Sequence, residues 1–197
     1  MKTSIKTLAL ALSAVVLSAS VSSAYAADPK KAKSAKVRTV SAPSGVKKVV
    51  VSGNVELILV QDGTERVELL NEGQQTSVTQ KGDMLRISSE ARETQQVRVS
   101  VKDLYRIEAS GRVKVSTGSD LDVKYLQIIL KDEAKATIDA NVTGLYSLLQ
   151  DNSNLTLSGS AGEHTLQMGK VASITMDKFT SQQSQINAQQ AEQVASL

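Results

Sequence analysis

The chain contains no cysteine. Disulfides, a thiolate nucleophile and any Cys-based metal site are thereby excluded, as is a lipid anchor on an N-terminal cysteine. Stability has to come from packing and backbone pairing instead. Tryptophan is also absent, and the 197 residues include one Phe and four Tyr. A core this poor in aromatics must be built from Val, Ile, Leu and Ala, which suit stacked strands. His164 is the only histidine, and no Ser-His-Asp set can be argued around it from one sequence. It is expected at the surface or at a strand edge. No stretch sustains helical periodicity, and none reaches the ~20 apolar residues that cross a bilayer.

What is present begins with a leader. Lys2 and Lys6 precede an apolar run from Leu8 to Leu17, and Ala24-Tyr25-Ala26 is a small-x-small cleavage site. Residues 1–26 therefore read as a signal peptide cut before Ala27. That implies an extracytoplasmic protein, in the periplasm, secreted or at the cell surface of a bacterium, with no transmembrane segment after cleavage. Residues 27–45 read as a disordered basic linker. Lys30, Lys31, Lys33, Lys36 and Arg38 face a single acid, Asp28. Such an arm suits contact with anionic lipid, glycan or peptidoglycan, although a solvated linker is the plainer reading. Residues 46–197 carry 16 basic and 19 acidic side chains. With no basic face and few stacking aromatics, nucleic acid is not an expected partner.

From Val46 onward the pattern is all-β. Short runs such as Val46–Val51, Val55–Val60 and Glu65–Leu70 are broken by Ser52-Gly53-Asn54, Asp62-Gly63 and Asn71-Glu72-Gly73. Turn signals at this density mark strands. Val97, Val99 and Val101 alternate cleanly onto one face.

The second half looks repetitive. Four segments, Ile107–Val115, Leu130–Ile138, Leu149–Leu157 and Met168–Met176, each run from an apolar residue through a polar turn into an alternating strand. Aligned on their ends, they place Val113, Ala136, Leu155 and Ile174 in one column, separated by 23, 19 and 19 residues. Val115, Ile138, Leu157 and Met176 form a second. Closing turns are expected at Thr117–Asp120, Asn141–Gly144, Ser158–Gly162 and from Asp177 onward. A period near 20 without helices predicts parallel strands joined by turns alone, a β-helix or β-solenoid preceded by a strand-rich N-terminal part. This domain is placed at residues 46–181. The Gln-rich residues 182–197 either add a last rung or fray.

Val51-Ser-Gly-Asn-Val-Glu-Leu-Ile-Leu59, Gly82–Ile87 and the Ser-Gly-containing Ile107–Val115 together resemble the head GIN domain family of exported bacterial proteins. Later copies depart from its Ser-Gly pattern, with Asp132-Glu133, Asn152-Ser153 and Lys170-Val171 in its place. The resemblance implies a right-handed parallel β-helix-like domain of adhesin type, with no family catalytic residues and no cofactor to carry over.

One column invites a chemical question. The alignment sets Ala109, Asp132, Asp151 and Lys170 at equivalent turn positions, with Glu133, Asn152 and Asn154 nearby. Asp132, Glu133, Asp151 and Asn152 are therefore the candidate ligand-face residues. Paired carboxylates serve acid–base chemistry on glycans, and oxygen-rich turns hold Ca²⁺. Asp and Asn are also the ordinary residues of turns, and the spacing of Ca²⁺-binding repeats is absent. No catalytic residue or metal site is assigned. Two readings follow. The first is a non-enzymatic envelope-interaction domain whose partner is a surface glycan or envelope component. The second is a polysaccharide hydrolase or lyase using the acidic turns. The scarcity of aromatics disfavours the second, since sugar rings stack on them. Asn141-Val-Thr143 and Asn154-Leu-Thr156 match glycosylation acceptors by chance in a bacterial chain.

Overall fold

The computed structural model describes residues 38–41, 43–71 and 75–188. The expected leader, residues 27–37 of the expected linker and residues 189–197 of the tail lie outside the described residues. Thirteen strands form one sheet, with no helix among the described residues. In chain order they are β1 (Arg38–Ser41), β2 (Lys48–Gly53), β3 (Val55–Gln61), β4 (Arg66–Leu69), β5 (Thr76–Lys81), β6 (Met84–Ser89) and β7 (Gln95–Val101). Then come β8 (Arg106–Gly111), β9 (Lys114–Thr117), β10 (Leu121–Leu130), β11 (Lys135–Leu149), β12 (Asn154–Met168) and β13 (Ser173–Ala188).

The expected stacking is there, and it is parallel. β10 pairs with β11, β11 with β12 and β12 with β13. The long strands serve two neighbours. The first half of β11 pairs with β9 and its second half with β10. Residues 141–144 and 158–162, expected as closing turns, therefore lie inside β11 and β12, and the turn expected from Asp177 onward lies inside β13. Their backbones stay extended because both halves find parallel partners, and Gly159 (φ 95°) supplies a bend where L-residues are strained. A Cβ at Gly159 would strike the Ala140 carbonyl oxygen. Only the Thr117–Asp120 break is a real interruption.

The column alignment needs a correction in its first copy. Val115, not Val113, is in register with Ala136, then Leu155 and Ile174. Gly111, not Ala109, lies opposite Asp132, because Ala109 pairs with Leu130. The first interval is 21 residues rather than 23. A slip of two residues leaves every apolar side chain on the same face, so hydrophobic patterning cannot detect it.

The N-terminal strands are also rungs of this stack. β2 lies between β6 and β8, and β3 between β7 and β9, all parallel. The apolar column therefore runs Val97, Leu57, Val115, Ala136, Leu155, Ile174. A second runs Ile87, Val51, Ala109, Leu130, Leu149, Met168. Residues up to Leu149 and Leu155 are buried, while Met168 and Ile174 are half-buried. Spatial order departs from chain order, since the first rung sits between the second and third. A search for a constant period passes over that arrangement.

The fold starts earlier than Val46. β1 pairs antiparallel with β4, so residues 38–41 of the expected linker are a strand. The Glu65 carboxylate accepts from Gly45 N–H (2.7 Å) and Val46 N–H (3.0 Å), tying down the chain that follows. At the other end, Gln182–Ala188 of the Gln-rich tail belong to β13.

Candidate functional site

The acidic turns form a ladder built into the backbone. Asp132 (φ 59°) and Asp151 (φ 55°) occupy the left-handed conformation taken in preceding rungs by Gly53 (φ 89°) and Gly111 (φ 80°). Aspartate tolerates this region better than most L-residues. Asp132 Oδ2 accepts from Gly111 N–H (2.8 Å), and Asp151 Oδ2 accepts from Asp132 N–H (3.2 Å). Each carboxylate thus satisfies a turn N–H of the rung before it. Turn aspartates more commonly bond the backbone of their own turn. Glu133 and Asn152 are exposed beside them. The structure brings Asp132 and Asp151 together, and it binds a carboxylate oxygen of each to backbone. Among the described residues no cluster of three or more acids or histidines suits a metal.

His164 is a correction. Only 2% of it is exposed, so it is an interior residue rather than a surface or edge one. Its Nε2 lies 3.1 Å from the buried Ser147 Oγ, and its ring meets Phe179 edge-on at 5.5 Å. Nδ1 has no partner. Desolvation by burial holds its pKa below the usual 6.5, so the ring is neutral near pH 7.

The reason it turns inward is a corner repeated in β10, β11 and β12. Inward positions fall at Val123 and Leu126, at Val142 and Leu145, and at Ala161 and His164. Between each pair two consecutive residues point away from the core, so alternation slips by one. These outward pairs are Lys124-Tyr125, Thr143-Gly144 and Gly162-Glu163, in register across β10, β11 and β12. Sequence reading mistook the slip for a turn. Its signal was the interval of three between apolar residues.

The corner carries two shallow, contiguous grooves. One, of about 420 Å³, is lined by Asp122, Lys124, Asn141, Thr143 and Ser160 with the flanks of Val123 and Val142. The other, of about 590 Å³, shares Val142, Thr143 and Ser160 and continues to Gly162, Thr180 and Gln182. Ser160 Oγ donates to Asn141 Oδ1 (2.9 Å). Tyr125, in the outward pair of β10, is 51% exposed and lines neither groove. Its neighbour in register is Gly144, where a Cβ would lie 2.9 Å from ring Cδ1 and 3.2 Å from Cε1. Lys124 Nζ sits 5.3 Å from the ring centroid. The other two described tyrosines are tied to glutamines: Tyr105 Oη accepts from Gln127 Nε2, and Tyr146 Oη donates to Gln167 Oε1.

Comparison with known proteins follows this geometry. Residues 46–193 match the family described as "Putative auto-transporter adhesin, head GIN domain". No curated protein matches the sequence. Among solved structures, a putative adhesin from Bacteroides fragilis NCTC 9343 is similar at 14% identity and TM-score 0.67, over 79% of this chain and 78% of that one. A putative lipid binding protein from Parabacteroides distasonis ATCC 8503 is similar at 10% identity and TM-score 0.61, over 78% of each chain. A putative adhesin from Parabacteroides merdae ATCC 43184 shares 14% identity at TM-score 0.52, over 77% of this chain and 76% of that one. At such identities the likeness is one of fold.

Proposed function

The chain belongs to the head GIN domain family, and from that premise we propose that it is a non-enzymatic, exported domain of adhesin type. Its scaffold on this reading is a right-handed parallel β-solenoid, and its task is to bind an envelope or surface component through an outward face. The observation that carries the reading is the continuous parallel register from β6 and β7 through to β13. It lays outward side chains in columns ~4.8 Å apart, which suits recognition spread over several rungs. Two further facts support a binding role over catalysis. The single histidine is interior and its hydroxyl partner Ser147 is fully buried, so neither reaches a substrate. Asp132 and Asp151 each hold a backbone N–H, which engages the carboxylates that a glycan-cleaving mechanism would use.

Export supports the same role, resting on the leader-like residues 1–26. The test uses beads coated with the mature protein, applied to immobilised bacterial envelope and mucin, with reducing-sugar release assayed in parallel. Retention without sugar release is expected. Release abolished by Asp132→Asn with Asp151→Asn would replace the adhesin reading with an enzymatic one.

A further inference from the structure

We propose that the uncovered end of the stack is a dimerisation surface, on which β13 pairs edge to edge with β13 of a second copy about a two-fold axis at its corner.

One chain leaves this edge unfinished. Ser184 and Ile186 stand in register with His164 and Leu166, both fully interior, yet Ile186 is 53% exposed. The two exposed large aliphatic side chains among the described residues, Val171 and Ile186, both lie at this end, beside the half-buried Met176 and Phe179. Among the described residues β13 pairs only with β12. Along its outer side, alternate backbone N–H and C=O groups therefore face away from the sheet.

A second copy fits because the edge is nearly its own reverse. From Phe179 to Ile186 it reads Phe-Thr-Ser-Gln and then Gln-Ser-Gln-Ile. Register with β12 carries the corner into β13, where Ser181 and Ser184 take the places of Ala161 and His164, and Gln183 that of Glu163. The Ser181 and Ser184 hydroxyls are hydrogen-bonded to each other across it. An isologous pair requires that residue i meet j while j meets i. An axis between Gln182 and Gln183 satisfies this condition. It sets Ser181 opposite Ser184 of the second copy, Thr180 opposite Gln185, and Phe179 opposite Ile186. The slip in alternation at the corner is what keeps inward residues opposite inward ones in this register.

Charge and area agree with a copy as the occupant. Phe179–Ala188 holds no charged residue, and Asp177 and Lys178 just before it cancel, so two edges meet without repulsion. The bulge opposite Thr156–Ser158 lies outside the Phe179–Ile186 span. It disfavours open-ended strand addition and leaves the self-complementary span intact. Pairing from Asp177 to Ala188 would run ~40 Å and, with flanking side chains, be ~12 Å wide, roughly 500 Å² on each copy. The total of about 1,000 Å² is at the lower limit of specific interfaces. That suits a reversible dimer with a Kd on the order of micromolar. The covered end already closes by antiparallel pairing, β5 on β6 and β4 on β7, and a two-fold pair closes the other end in the same way.

The test is sedimentation velocity of the mature chain from about 1 to 200 µM. A monomer–dimer equilibrium is expected, with no larger species. Because the edge is uncharged, it should change little between about 0.05 and 0.5 M salt. Ile186→Lys puts a charge against Phe179 of the second copy and should raise Kd about tenfold or more. Its melting temperature at low concentration should stay close to that of the parent chain, since Ile186 is largely exposed there. Tyr125→Lys, equally exposed but on β10, should leave Kd unchanged. Cross-linking checks the register in this cysteine-free chain. Thr180→Cys and Gln185→Cys chains, mixed and mildly oxidised, should give a disulfide-linked dimer. Either alone should give far less, because like positions stand about five residues apart along the pair, beyond disulfide reach. The proposal is overturned by a monomer at every concentration, by a dimer that Ile186→Lys leaves intact, by growth beyond the dimer, or by either single variant cross-linking as well as the mixture.

Discussion

The two ends of the stack are built differently. At one end, the rung made by β6 and β7 is covered by antiparallel strands, β5 on β6 and β4 on β7, with β1 beyond β4. At the other end lies β13, sixteen residues long and paired among the described residues only with β12. The apolar columns reflect this. Val97 and Ile87 at the covered end are fully buried, whereas Ile174, Met168 and Phe179 at the other are half-buried and Val171 and Ile186 are exposed. An uncovered parallel strand is an invitation to edge pairing, and β13 carries the usual deterrents. Its register shifts by one residue opposite Thr156–Ser158, a bulge beside Lys178, and its second half is Ser, Gln and Asn apart from Ile186 and Ala188. One end is closed by backbone pairing, the other is blunted by irregularity and polarity.

The largest expected effect is a contrast within one column. Leu155→Ala removes a fully buried side chain from the last rung but one and should cost about 2–5 kcal/mol. Ile174→Ala, one rung further and half-buried, should cost less than about 2 kcal/mol. Urea denaturation of both variants measures the gradient. Equal losses would show that the last rung is covered as well as the interior.

Next come the bends. Gly159→Ala combines a positive φ with a clash against the Ala140 carbonyl and should cost more than about 2 kcal/mol. Gly82→Ala, in the hairpin turn at the covered end, has an equally left-handed backbone but open space around it. Its cost should be nearer 1 kcal/mol. Thermal melts of the pair separate backbone strain from crowding.

A smaller effect concerns pH. His164 lies near the uncovered end with its folded pKa below its unfolded value of 6.5. Protonation is then easier in the unfolded chain. The stability that neutral His164 provides is complete above pH 6.5 and is lost as the pH falls from 6.5 toward the folded pKa. Unfolding free energies between pH 7.5 and 5 should show this slope, and His164→Phe should flatten it. A slope of opposite sign would mean that a charge partner stabilises the protonated ring. Smallest of all is the ion-pair cluster of Glu68 with Arg66 and Arg98 on the covering strand and its neighbour. With the Arg66 and Arg98 side chains 39% and 43% exposed, Glu68→Gln should change stability by less than about 1 kcal/mol.

Much of this architecture was legible in the sequence, and what escaped did so for physical reasons. The all-β class, the parallel stacking and the Ala136–Leu155–Ile174 column follow from alternation and a period of 19. The two-residue slip at Val113 was invisible because a strand repeats its faces every second residue. The N-terminal rungs were missed because they stack out of chain order, although Ser52-Gly53 and Ser110-Gly111 share both residues and lie in register. The corner was hidden by the assumption that a break in alternation ends a strand. That assumption left His164 outside the core and Tyr125 without its glycine partner. The acidic candidates were found by sequence alone, but their inter-rung hydrogen bonds depend on left-handed backbone, which composition does not reveal.

The central claim is that the early strands are inserted rungs, which makes one continuous stack and hence one continuous outward face. The cysteine-free chain permits a direct measurement. Ser52 and Ser110 are in register on adjacent strands, as are Ser88 and Ser52, whereas Ser88 and Ser110 stand two strands apart. Adjacent strands are ~4.8 Å apart, within disulfide reach, and two spacings exceed it. Under mild oxidation the doubly substituted S52C/S110C and S52C/S88C chains should cross-link, and S88C/S110C should not. Efficient cross-linking of S88C/S110C with none in S52C/S110C would contradict the claim and put β2 and β3 outside the stack.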